Sequence, residues 1–88
     1  MKNVYYNEFM AELENNYSEN ETVKSFISDA KELEKYGERR IALENLLENI
    51  LECDIILTSE LIEKADLAFS DAPSEYDKEL IEDLKGLN

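Results

Sequence analysis

The sequence predicts an all-α fold, a small single domain over residues 1–88 built as a bundle of four to five short helices. Three observations point there. Apolar residues recur at three- and four-residue spacing along most of the chain, the period of a helix buried on one face. Gly and Pro, the residues least suited to helix interiors, number only 2 and 1. The breaks between the periodic segments are short polar runs that carry helix-capping residues.

The first helix is predicted from about Asn3 to Tyr17, where Tyr5, Tyr6, Phe9, Met10, Leu13 and Tyr17 recur on one face. Aromatic residues carry the largest apolar area per side chain, so this stripe is expected to be core. Asn15–Asn20 is the first break. Ser18 followed by Glu21 fits a capping box, and Asn20 is an alternative cap. The second helix runs from about Glu21 to Tyr36 with Val23, Phe26, Ile27, Ala30 and Leu33 inward, and Gly37 suits its C-terminal cap. The central helix follows and ends near Cys53. It places Leu43, Leu46, Leu47, Ile50 and Leu51 on one broad face, with Ala42 and Cys53 at the border. Cys53 is expected to act as a small buried hydrophobe. Asp54–Leu57 reads as an extended connector tucked against the core. Thr58 or Ser59 caps a fourth helix whose face is Leu61, Ile62, Ala65, Leu67, Ala68 and Phe69. Asp71–Ser74 is the last break. Ser74 caps a final helix, expected to be the weakest, through Tyr76, Leu80, Ile81 and Leu84 to Gly86.

Length and composition bound the rest. With 88 residues, a domain buries only about 60–65% of its unfolded surface, so the core is modest. Hydrophobic residues at 43%, arranged periodically, argue against disorder. Cys53 is the only cysteine, which excludes an internal disulfide, and the chain has no His. That removes the usual general base, the commonest zinc ligand and the Glu-x-x-His carboxylate-metal pattern. No calcium-loop spacing or phosphate loop is present. The chain is expected to be neither an enzyme nor a carrier of metal or cofactor. Its polar N-terminus is not that of a signal peptide, and the expected location is the cytoplasm.

Charge is the informative property. Nine basic residues face 22 acidic ones, a formal net charge of −13. Such an excess disfavours direct binding to nucleic acid or to an anionic membrane and favours a basic protein partner. Lys24, Lys31, Lys35, Arg39 and Arg40 cluster together, whereas Ile41–Glu63 contains no basic residue. In that interval Glu44, Glu48 and Glu52 follow each other at i, i+4 and i+8 on the polar face of the central helix. Like charges at this spacing weaken a helix by about 0.2–0.5 kcal/mol per pair, so stability alone does not account for them. The acidic surface is expected to centre on this face and the connector after it.

The run Gly37-Glu38, Ala42-Leu43-Glu44-Asn45-Leu46, Asn49-Ile50, Glu52, Asp54-Ile55 and Leu57 resembles the MafI-like immunity proteins. These are small acidic bacterial proteins that protect against polymorphic toxins, including those of contact-dependent growth inhibition. The resemblance spans about Gly37 to Ile62, and Cys53 stands where the family pattern often has an aromatic residue. It implies a cytoplasmic protein that binds a cognate toxin domain one-to-one and blocks it. Many such toxins are nucleases with basic clefts. Joined to the charge argument, the expected toxin contacts are Glu44, Glu48, Glu52 and Asp54, with Glu60 and Asp66 outside them. Two other readings compete. One is a nucleic-acid-mimicking inhibitor of many basic proteins. The other is a helical adaptor that dimerises through the Tyr-rich first helix.

Overall fold

The computed structural model describes residues 1–87. They form five helices, α1 (Asn3–Asn16), α2 (Glu21–Lys35), α3 (Arg39–Glu52), α4 (Ser59–Phe69) and α5 (Glu75–Gly86), with no strand among the described residues. No helix is long and apolar enough to cross a membrane. The Cα radius of gyration is 11.7 Å, against about 12 Å for a single compact domain of this length.

The helix starts follow the cap chemistry of the sequence. Asn20, not Ser18, caps α2, its side chain accepting the Val23 N–H at 3.0 Å. Thr58 caps α4 through the Leu61 N–H at 3.2 Å. Ser74 and Asp77 close a full capping box on α5, each side chain accepting the other's backbone N–H. α1 has no capping side chain. Its entry is fixed from a distance instead: the Lys2 N–H donates to the Ala68 carbonyl at 2.9 Å, and the terminal ammonium meets Asp71 at 2.7 Å.

Two helices stop on the same hydrogen-bond pattern. After α2 the Gly37 N–H donates to Glu34 and the Glu38 N–H to Leu33. After α3 the Asp54 N–H donates to Leu51 and the Ile55 N–H to Ile50. Both are Schellman closures, which require a left-handed residue at the penultimate position. Gly37 fills it at φ +76° and Asp54 at φ +53°. Cys53 is the C-cap of α3, its N–H still bonded to the Asn49 carbonyl, where the helix gives way to the connector. It is exposed, contrary to the sequence expectation.

α2 and α3 form an antiparallel hairpin, α1 lies antiparallel on α4, and α5 bridges α3 and α4. One core joins them. Phe9 and Leu13 of α1, Leu43, Leu46, Leu47 and Ile50 of α3, Leu61, Ile62 and Phe69 of α4 and Leu84 of α5 are all buried. Leu57 seals the connector, while Leu51 and Ile55 are half-buried. α3 begins on Arg39 and Arg40 with no side-chain cap, the wrong charges for a helix N-terminus. Five buried residues hold it in place, as expected where packing dominates over propensity. The Tyr face of α1 is also core: Tyr6 is fully buried and donates to Glu34 Oε2 at 3.0 Å, while Tyr5 and Tyr17 pack partly against it. Burial and that hydrogen bond raise the Tyr6 hydroxyl well above the ordinary tyrosine range.

Candidate protein-docking surface

The helical phase of α3 sends four residues to solvent along one line: Ile41, Asn45, Glu48 and Glu52, at i, i+4, i+7 and i+11. Asp54 and Ile56 on the connector after α3 and Glu60, Glu63 and Asp66 on α4 are exposed too. Ser59, Ile62, Glu63, Asp66 and Lys85 line an open groove of about 390 Å³ between α4 and α5. Tyr76 comes from the first turn of α5 to the edge of the α3 line and donates its hydroxyl to Glu48 Oε2. That bond, with burial and the acids around it, pushes the Tyr76 hydroxyl up to about 12.

Pairing is uneven along the chain: among the described residues ten of the 22 acids have a cationic partner, and Glu48 to Asp66 is the longest run without one, although Glu8, Glu19, Asp29, Glu38, Glu79 and Asp83 are also unpaired. On α1 and α2, Glu12 pairs with Lys64, Glu14 with Lys31, Glu32 with Lys35 and Glu34 with Arg39. A groove of about 630 Å³ along α2 is lined by Lys24, Lys31 and Lys35, each matched to a neighbouring glutamate. Among the described residues, Glu48, Glu52, Asp54, Glu60, Glu63 and Asp66 have no cationic partner. The negative charge is therefore least compensated where the sequence lacks basic residues.

No protein-family model, curated protein sequence or solved structure matches this chain.

Glu44 stands apart from the other sequence-selected acids. The stripe was expected to be uncompensated, but Glu44 lies 4.0 Å from Arg40, one turn earlier, and its side chain is only 20% exposed. It points at α5. There Asp77, 1% exposed, binds the Arg40 guanidinium through Oδ2. Arg40 also donates to the Ala72 carbonyl and sits over the Phe69 ring, 5.5 Å from its centroid. One guanidinium thus ties α3 to the 70–74 loop, α4 and α5. Burial, a hydrogen bond to Asp77 and the charge of Asp77 raise the Glu44 carboxyl to about 7 against the opposing pull of Arg40. Burial also works against ionised Asp77, but hydrogen bonds from Glu44 and Ser74, with Arg40 beside it, outweigh that and hold it below the usual range.

Glu44 and Glu48 are thus drawn to one seam by the adjacent residues Asp77 and Tyr76. Glu52 and Asp54 lie at the far end of α3, Glu60 in the first turn of α4, and Asp66 in the α4–α5 groove. The sequence reading missed Arg40, Tyr76 and Asp77. Asp77 carried a signal: it stands three residues after Ser74, the spacing of a capping box. The contact of Arg40 with Asp77, 37 positions away, leaves no local trace.

Proposed function

We propose that this chain is an immunity protein that binds a basic bacterial toxin domain one-to-one and neutralises it by occupancy, without chemistry of its own. A nuclease cleft, lined with cations for phosphate, is the best chemical match to its surface. The observation that carries this reading is the run of six consecutive acids from Glu48 to Asp66 without cationic partners, where ten of the other sixteen acids are paired. An acid already neutralised within its own chain contributes little to steering a partner, whereas a field of unpaired ones raises the association rate. Exposed Tyr76 and Ile56 (43% and 58%) supply the apolar contact that charge alone lacks, tyrosine being favoured at interface hot spots.

The resemblance to MafI-like immunity proteins supports the reading and divides into two parts. Gly37-Glu38 and Asp54-Ile55 are helix stops. Ala42, Leu43, Leu46 and Ile50 are core. These motif residues build the α3 scaffold. Glu48, Glu52, Asp54, Glu60 and Asp66 are the proposed toxin contacts, and Glu44 contributes through the seam with α5. The burial of Tyr6 and the packing of Tyr5 and Tyr17 on the core weigh against an adaptor dimerising through the face of α1.

Co-expression with the coding region immediately upstream, tagging only this chain, tests the proposal. A stoichiometric basic fragment that is lethal when expressed alone is the expected result. Recovery of no partner, or equal inhibition of a panel of unrelated nucleases, would transfer the function to a general nucleic-acid mimic.

A further inference from the structure

The seam between α3 and α5 holds an arrangement that neither packing nor partner binding requires. Asp77 Oδ2 is saturated, accepting from Arg40 and from the Ser74 N–H at 3.0 Å. Its Oδ1 is buried and receives no donor from the backbone, Ser74 or Arg40. Beside it stands another carboxyl, Glu44, whose Oε2 lies 4.0 Å from the same Arg40 nitrogen that binds Asp77. Two carboxylates have only acceptors to offer each other, so a hydrogen bond between them requires a proton. The one cation at the seam, Arg40, cannot neutralise both: it binds Asp77, lies 4.0 Å from Glu44 and shares its second nitrogen with Ala72.

We propose that Glu44 and Asp77 hold a single proton between them and that this proton latches α5 onto α3, its loss weakening the seam and adding one negative charge beside Glu48. The latch belongs to the free protein and operates whatever its partner is. The charged groups around it are Arg40 and Glu48 on α3 and Tyr76 on α5. The phenol is engaged with Glu48. From α4 the Phe69 ring lies beneath Arg40, and Lys64, the cation of that helix, is paired with Glu12 of α1. On the α2 side of α3, Arg39 is paired with Glu34, and Lys78 of α5 is turned to Glu75.

The proton resides on Glu44, because Asp77 has the helix cap and the guanidinium to stabilise its charge. Glu44 titrates near 7 in the folded chain and at the ordinary glutamate value when unfolded. Between those two values the folded state holds the extra proton. Stability must therefore fall as pH rises through that window, and the whole contribution is lost above it.

Carboxyl ¹³C titration of the full chain, thermal unfolding from pH 5 to 8, and amide exchange across Leu80–Leu84 test the latch. Expected are a Glu44 midpoint near 7, a fall in Tm of about 5 °C or more over that range, and faster intrinsic-rate-corrected exchange in α5 at the upper end. Glu44→Gln keeps the seam uncharged and should flatten both responses. Glu79→Gln removes one exposed charge of α5 outside the seam and should leave them. A Glu44 midpoint in the ordinary carboxylate range overturns the shared proton, and that wild-type measurement decides even where Glu44→Gln fails to fold. A midpoint near 7 with unchanged α5 exchange overturns the latch.

Discussion

At the scale of single residues, the two helix stops make opposite demands on the same backbone conformation. Gly37 adopts φ +76° with nothing within 4 Å of where a Cβ would stand, so the cost of a side chain there is conformational alone. Gly37→Ala should destabilise by about 1 kcal/mol. Asp54 already carries that cost at φ +53°, and Asp54→Gly should stabilise by about 0.5–1 kcal/mol, a rise of a few degrees in Tm by differential scanning calorimetry. Asp77 is the residue whose loss should matter most outside the apolar core. Asp77→Ala removes a capping box worth about 1 kcal/mol and deprives Arg40 of its buried partner. Arg40 keeps water at its 31%-exposed side chain, so the combined loss should be about 2–3 kcal/mol in urea unfolding, less than for a sealed ion pair. Glu79→Ala, exposed on the same helix, should stay within about 0.5 kcal/mol. Gly37 was readable as a stop because glycine is the usual left-handed residue. Asp54 was not, because aspartate adopts that conformation only where the surrounding hydrogen bonds impose it.

At the scale of helices, the sequence is a good guide wherever the information is local. The apolar faces of α2, α3 and α4, apart from Cys53, and the cap Ser74 follow from spacing and side-chain chemistry within one or two turns, while Asn20 and Thr58 are each one of two candidates. What local spacing leaves open is which face meets which. The start of α1 depends on Ala68 and Asp71. Its end is fixed by the Tyr17 hydroxyl, which donates to the Ile56 carbonyl at 2.9 Å. α5, expected to be the weakest helix, owes its place to Arg40 as much as to its own Leu80, Ile81 and Leu84. α3 shows how far packing outweighs local preference, since cations crowd its N-terminus and like charges line its outer face. Its stability must therefore lie in its buried side. Leu46→Ala, at a position 1% exposed, should cost about 2–5 kcal/mol, a large share of the roughly 5–13 kcal/mol available to a domain of this size. Ile56→Ala, at an exposed position of the connector, should cost under about 0.5 kcal/mol by the same urea titration.

At the scale of the whole molecule, the distribution of charge matters more than its sum. A net charge of −13 attracts any cation, and a basic partner would be drawn to this chain from all sides if the acids were equally free. They are not equally free, because ion pairs offset much of the charge over α1 and α2, where Glu8 and Asp29 remain unpaired, and none of that of the six acids from Glu48 to Asp66. The difference can be measured as a rate. Glu44 is unsuited to the test, because a lysine there would disturb Arg40 and Asp77 and confound association with folding. Glu48→Lys with Glu52→Lys changes only exposed positions, and the unfolding free energy should move by no more than the two weak i, i+4 repulsions and the lost Tyr76–Glu48 hydrogen bond allow, about 1 kcal/mol. Association with the co-purified toxin domain, followed by stopped flow at low ionic strength, should slow by about tenfold or more, and the salt dependence of the on-rate should flatten. The decisive comparison is Glu8→Lys with Glu19→Lys. Both residues are exposed and outside the docking surface, and their reversal changes the net charge by the same amount. If that pair slows association equally, the partner responds to total charge and the α3 face has no privileged role. If it does not, the partner is steered by the α3 face and not by unpaired acids wherever they stand.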